Sequence, residues 1–217
     1  MLADWLTDLG MVQSGPQAAL DTLARSVIPA LFRKPIVRHN APFPEPDEDT
    51  GMAHTLEQFA ASCHDILTRE SGPAGRAKVC ALLREVLKDA EFVAKNLNDQ
   101  TPERQILYED PELKFCILAH YYKGAKASPP HDHGPSWAIY GQAVGETEMS
   151  DFELLEPASE DKPGKVRKVR TYKLTPGIAH LYNEGDLHAP TRSGPTRLIR
   201  IEGVNMETVR RHKYVAV

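Results

Sequence analysis

The sequence predicts a mainly β protein, a barrel or sandwich with a helical N-terminal region. Two observations carry this reading. Apolar residues follow a helical spacing through much of the first hundred positions, and short runs between turn signals fill the remainder. Composition supplies a third: 217 residues with 41% hydrophobic and 26% charged allow one sizeable domain, or a core domain with a helical segment appended. The expected division is a helical region over residues 1–100, packed on a β-barrel over residues 101–217.

The first helix is expected over about residues 16–32. The acidic, proline-rich run APFPEPDEDTG at 41–51 then reads as a linker and solvated loop. Leu56, Phe59, Ala60, Cys63, Ile66 and Leu67 recur at intervals of three and four, as a one-faced helix requires. SGPAG at 71–75 breaks that helix. Val79, Leu82, Leu83, Val86, Leu87, Ala90 and Val93 then predict one further helix. Beyond Thr101 the pattern changes. LKFCILAHYY has the apolar, aromatic character of a buried strand, and SWAIYG, GETEMSDFELLE, KVRKVRTYKLT, AHLYN and TRLIRIEGV follow as further strands, with EPASEDKPGK as a turn.

Charge and cysteines narrow the function classes. A net charge of −4 is too weak to point to a nucleic-acid or membrane partner. No run of about eighteen uncharged apolar residues is present, so no spanning helix is expected. MLADWLTDLG lacks the basic and apolar regions of a signal peptide. Cys63, Cys80 and Cys116 are odd in number, far apart and without a CxxC, which suits buried, reduced thiols in a cytoplasmic protein. The expected partner is a small-molecule substrate.

PPHDHGPSWAIYGQAVGE, at 129–146, holds the chemistry. Residues i and i+2 of a strand share a face, so His131 and His133 converge while Asp132 points away. Two neutral imidazoles at that spacing suit a divalent metal such as iron or zinc. TPGIAHLYNEGDLHAP, at 175–190, offers the third ligand: His180 after the turn at Pro176 and Gly177, with His188 as its rival.

These two stretches resemble the paired motifs of the cupin superfamily, whose fold is a double-stranded β-helix barrel. Gly124 precedes the HxH and Gly145 closes the first motif; Pro176, Gly177, His180 and Asn183 match the second. The resemblance implies His131, His133 and His180 as ligands, since the GDLHAP setting of His188 matches no motif. Most metal cupins add a glutamate a few residues after HxH, where this chain has Ser136, Trp137 and Ala138. A three-histidine site without a carboxylate is, among cupins, the mark of thiol dioxygenases of the cysteine and 3-mercaptopropionate type. WAIYGQAVGETE and PERQILYEDPELKFCILAHYYKGAKASPPHDH also look like those enzymes, in a register that matches Arg104 to their carboxylate-holding arginine. The likeness spans roughly residues 56–209. It implies Fe(II), with another divalent metal as the alternative, O2 as co-substrate, and a small thiol carboxylate oxidised to a sulfinate.

The resemblance breaks on the last inner strand. There the family carries a Ser-x-His-x-Tyr arrangement and this chain has Leu198, Arg200 and Glu202. Ala138 stands where some members place a cysteine crosslinked to that tyrosine. Arg200 favours an anionic substrate group through bidentate hydrogen bonding, or pairs with Glu202. Tyr182 shares the face of His180, and with Tyr140 is a candidate for the missing hydroxyl. Trp137 reads as core or as substrate wall, Tyr140 as substrate wall or ordinary barrel filling, and His188 as a base beside the metal or as a surface residue. The alternatives left open are another cupin oxygenase, a lyase or isomerase acting on a carboxylated substrate, and a non-catalytic ligand-binding cupin. A homodimer paired through barrel edges is compatible with the analogy.

Overall fold

The computed structural model describes residues 54–217, and the helix expected at 16–32 and the linker at 41–51 lie outside the described residues. Among the described residues, three helices come first. Thr55 starts α1 (Leu56–Arg69) with a capping box: its hydroxyl accepts from the Gln58 amide, and the Gln58 side chain accepts from the Thr55 amide. Pro73 opens α2 (Pro73–Val86), where its missing N–H costs nothing. The single second helix expected to run through Val93 is instead two. Asp89 turns its carboxylate onto the amides of Glu91 and Phe92, ending the run at residues 87–89 and starting α3 (Ala90–Asn96).

Ten strands follow: β1 (Gln105–Glu109), β2 (Cys116–Tyr122), β3 (Lys126–Ala127), β4 (Ala138–Val144), β5 (Thr147–Glu156), β6 (Gly164–Leu174), β7 (Ala179–Tyr182), β8 (Leu187–Arg192), β9 (Thr196–Glu202) and β10 (Tyr214–Ala216). They form two five-stranded sheets, ordered β1-β2-β9-β4-β7 and β10-β6-β5-β8-β3. The pairing is nested: β2 with β9, β3 with β8, β4 with β7 and β5 with β6, all antiparallel. A chain paired first with last and then wound so that β4 also meets β9 and β5 meets β8 is a jelly roll, the double-stranded β-helix. The barrel expected from the sequence is therefore the barrel present.

The first sheet has two distinct faces because successive side chains alternate. Its outer face, including Ile117, Ala119, Ile139, Ala179, Ile199 and Ile201, packs against Phe59, Cys63, Val79, Leu83 and Phe92 of the helices. Gly141 marks a close approach of sheet and helix: a Cβ there would meet Leu83 Cδ2 at 2.6 Å. The Arg84 guanidinium donates to the Ala179 carbonyl at 2.7 Å, so α2 also satisfies the exposed edge of β7. The inner face holds a smaller apolar cluster of Ala138, Tyr140, Met149, Leu174, Tyr182 and Leu198.

Strand β8 is absent from the sequence expectation. Pro190 sits in its middle, and a proline argues against a strand with neighbours on both sides. Here β8 lies between β5 and β3, and the Pro190 carbonyl still accepts from Ser128 N at 3.0 Å. At the other side of the same sheet, β10 runs parallel to β6, and the Tyr214 hydroxyl donates to Asp132 at 3.0 Å.

Candidate metal centre

His131 and His133 converge as expected, but on a turn rather than a regular strand. Gly134 follows with φ of +57°, a left-handed conformation that favours glycine, and its amide donates to the Asp132 carboxylate at 3.1 Å. With Tyr214 holding its other oxygen, Asp132 is fixed away from the imidazoles. His131 and His188 form an isolated antiparallel bridge, each amide donating to the other's carbonyl at 2.9 Å. Residues directly opposite in such a pair project to the same face. Their rings are accordingly 4.6 Å apart, and those of His133 and His188 are 4.9 Å apart.

The third imidazole is therefore that of His188, and the expectation for His180 is corrected. One ring nitrogen from each of His131, His133 and His188 lies within 4.8 Å of the others. His180 stands on β7, in register with Tyr140, and its ring lies against Tyr172 and Tyr182. It lines a different cavity with Asp151, Arg170 and Asp186. Motif spacing points to His180, whereas the bridge between His131 and His188 decides which ring arrives.

Hydrogen bonds assign the tautomers. Nδ1 of His131 donates to the Pro129 carbonyl at 2.9 Å, and Nδ1 of His188 to the Asp186 carbonyl at 3.0 Å. Both leave the Nε2 lone pair free, and that of His188 is buried without a partner. His133 differs: its Nε2 accepts from Arg200 at 2.9 Å, and its buried Nδ1 has no partner. Burial, aided by the positive charge of Arg200, pulls all three imidazoles down, His131 to about 4. At neutral pH they are uncharged, as metal ligands must be. Three neutral imidazoles converging, with Nε2 of His188 buried and unpartnered, fit a divalent cation. An ion taking His133 Nε2 would replace Arg200 there.

The other expected site residues separate into those at the cluster and those away from it. Tyr140 lies at it, with its hydroxyl 3.3 Å from His133 Nε2 and its ring 4.7 Å from the Arg200 guanidinium. Burial raises its pKa, so it stays protonated and able to donate. Tyr182 stacks on His188 at 3.8 Å, while its hydroxyl bonds to that of Tyr172. Tyr182 is thus packed on a candidate ligand, with its oxygen held elsewhere. Arg200 pairs with Glu202 at 3.1 Å and lines the same cavity as His131 and Tyr140.

Arg104 lines a neighbouring cavity with His120, Arg200 and Glu202. Its guanidinium is engaged by Glu202 at 3.2 Å, Asn205 at 2.7 Å and Glu207 at 3.0 Å. Trp137 does not line the cavity beside His131: it packs in the outer cluster with the helices, 5.5 Å from the Arg76 guanidinium. The alternation of β4 sends Ala138 and Tyr140 inward instead. Sequence reading missed Arg192, which lines the cavity with His131, Tyr140 and Arg200. The available signal was a period of two from His188 through Pro190 to Arg192.

No family model matches the chain, and no curated protein matches it. Solved structures that align with part of the chain include cupins. A cupin superfamily protein from Desulfitobacterium hafniense is 11% identical, with 47% of this chain and 76% of that chain covered and a TM-score of 0.34. An uncharacterised double-stranded β-helix protein from Klebsiella pneumoniae gives 13%, 56%, 94% and 0.37 in the same order. KdgF from Halomonas gives 19%, 46%, 74% and 0.33. The fold assignment stands on the strand order described above.

Proposed function

We propose that the chain is a metal-dependent enzyme that holds a divalent ion on His131, His133 and His188 and acts on a small carboxylate-bearing substrate. In its specific form the proposal is an Fe(II) dioxygenase that oxidises a thiol carboxylate to a sulfinate, a thiol dioxygenase activity. The observation that carries it is the convergence of three neutral imidazoles, none replaced by a carboxylate, at a cavity lined by Arg200. Fe(II) bound there would supply a place where thiolate and O2 meet, both oxygen atoms passing to sulfur as the thiol is oxidised and O2 reduced.

The chain's own residues position and protonate. Arg200, once released from His133, offers a guanidinium to the substrate carboxylate. Tyr140 holds a protonated hydroxyl beside the imidazoles, in the place of the tyrosine that the last inner strand lacks. Tyr182 fixes the plane of His188 by stacking. The cavity is about 260 Å³, below the usual range for drug-sized ligands, which suits a small acid.

The test is metal analysis of the purified protein, then anaerobic reconstitution with Fe(II) and O2-uptake assays on cysteine and 3-mercaptopropionate. Uptake with sulfinate product is expected; no uptake with either acid removes this substrate class. One observation favours a second reading, a cupin lyase, isomerase or different oxygenase. Arg104 is already occupied by Glu202 and Glu207, so the carboxylate grip of the thiol dioxygenases is altered. Purified protein carrying zinc or nickel without iron would support the non-oxidative branch.

A further inference from the structure

Arg192 is buried, 3% exposed, with its guanidinium 4.2 Å from the Tyr122 ring. Its Nε is buried without a partner, and no acceptor within the described residues takes a hydrogen bond from it. Nε of Arg76 and of Arg200 is also buried without a hydrogen-bond partner, but each of those guanidiniums has a carboxylate beside it. Glu184 serves Arg76 and Glu202 serves Arg200, as it does Arg104; Arg192 has none among the described residues. A buried charge left unpaired is costly, and a cation over a tyrosine ring recovers only part of that.

The position of Arg192 gives this cost a purpose. It shares the inner face of β8 with His188, four residues away, or roughly 13 Å along an extended strand. Both therefore face the same interior, one at the imidazole cluster and one beyond it. The cavity between is lined by His131, Tyr140, Tyr122, Arg192, Arg200 and Arg211, and no aspartate or glutamate lines it. Glu202 offsets Arg200, whereas Arg192 and the exposed Arg211 have no carboxylate partner among the described residues.

We propose that Arg192, beside Arg200 and with Arg211 at the mouth, forms the main grip of a carboxylate subsite for a small organic acid whose other end reaches the three histidines, Arg200 adding its charge to the same carboxylate. This deepens the proposed function and rests on it for the role of that other end. The carboxylate would complete the hydrogen bonding of the Arg192 fork in a bidentate pair, which lysine cannot reproduce.

The test is isothermal titration of the full chain with succinate at low salt, metal-free and Zn(II)-loaded, with inorganic phosphate in parallel. Wild type is expected to bind succinate in both forms. Arg192→Gln should weaken binding at least about tenfold, Arg192→Lys should recover part of it, and Arg211→Gln should weaken it a few-fold. Arg69→Gln, on the exposed surface of α1, should match wild type. Thermal melts report folding; if Arg192→Gln does not fold, equal succinate affinity in Arg192→Lys and wild type overturns the subsite. No succinate binding by wild type, or an unchanged affinity in folded Arg192→Gln, also overturns it. Phosphate bound as tightly as succinate overturns the carboxylate assignment. Failure of the functional reading is separate: metal binding or O2 uptake would be lost while succinate affinity still depended on Arg192.

Discussion

The two faces of the first sheet are made by the same strands and behave as different materials. Facing the helices, β4, β7 and β9 present Ile139, Ala179, Leu181, Ile199 and Ile201. One residue along, facing the barrel interior, the same strands present Tyr140, His180, Tyr182, Arg200 and Glu202. The alternation lets a seven-residue strand such as β9 contribute to a dry interface and a charged cavity at once. The apolar face supplies the burial that drives folding, and that gain offsets the desolvation of arginines and histidines on the other. The comparison teaches that stability and chemistry are divided here by parity of position rather than by domain.

The largest expected effect sharpens the polar side. His188→Ala should lower affinity for Zn(II) or Fe(II) by more than about 100-fold, read by titration against a chromophoric chelator, because a proposed ligand is lost. His180→Ala, on the same barrel face but outside the cluster, should change it only a few-fold. A reversal of that order would return the third ligand to β7. Next is Glu202→Ala, which leaves Arg104 and Arg200 without their shared carboxylate and frees the Met206 amide. Chemical denaturation should show a loss of about 3–5 kcal/mol. Leu83→Ala tests the dry side: a fully buried leucine wedged on Gly141 should cost about 2–5 kcal/mol by the same measurement, with metal affinity unchanged.

A smaller effect concerns acid. Burial, reinforced by Arg200, lowers the His120 pKa to about 3 from 6.5, and burial lowers His131 to about 4. Between those values and 6.5 the unfolded chain binds protons that the folded chain refuses. Stability therefore rises with pH across that window and is lost as pH falls below about 6.5; each tenfold weakening of proton affinity on folding is worth roughly 1.4 kcal/mol. His120→Gln should flatten the slope of unfolding free energy between about pH 4 and 6.5. The smallest effect is expected for Tyr182→Phe, which removes the hydroxyl bond to Tyr172 but keeps the ring on His188. About 1 kcal/mol should be lost, with metal affinity retained.

Much of this architecture is legible in the sequence because it rests on periodicity. The apolar spacing of α1, and the runs that form β2, β4, β5, β6, β7 and β9, are local signals. What is illegible depends on contacts distant in sequence. The helix break at Asp89 is a capping event inside an apolar run that otherwise reads as continuous. Strand β8 is hidden by Pro190, which a local rule excludes from a central strand. With β8 hidden, His188 has no face and Arg192 no direction, so motif spacing favours His180. Trp137 reads from the sequence as core or as substrate wall, and parity on β4 decides for the core by turning it toward the helices.

The closing residues have a consequence for handling the protein. Tyr214 grips Asp132, the residue between His131 and His133, so β10 clasps the loop that carries two of the three imidazoles. Cleavage just before β10, or a bulky fusion that pries this strand from β6, should slacken that loop even though every histidine of the cluster remains in the chain. Preparations trimmed before β10 would then show a metal affinity belonging to the damage rather than to the protein.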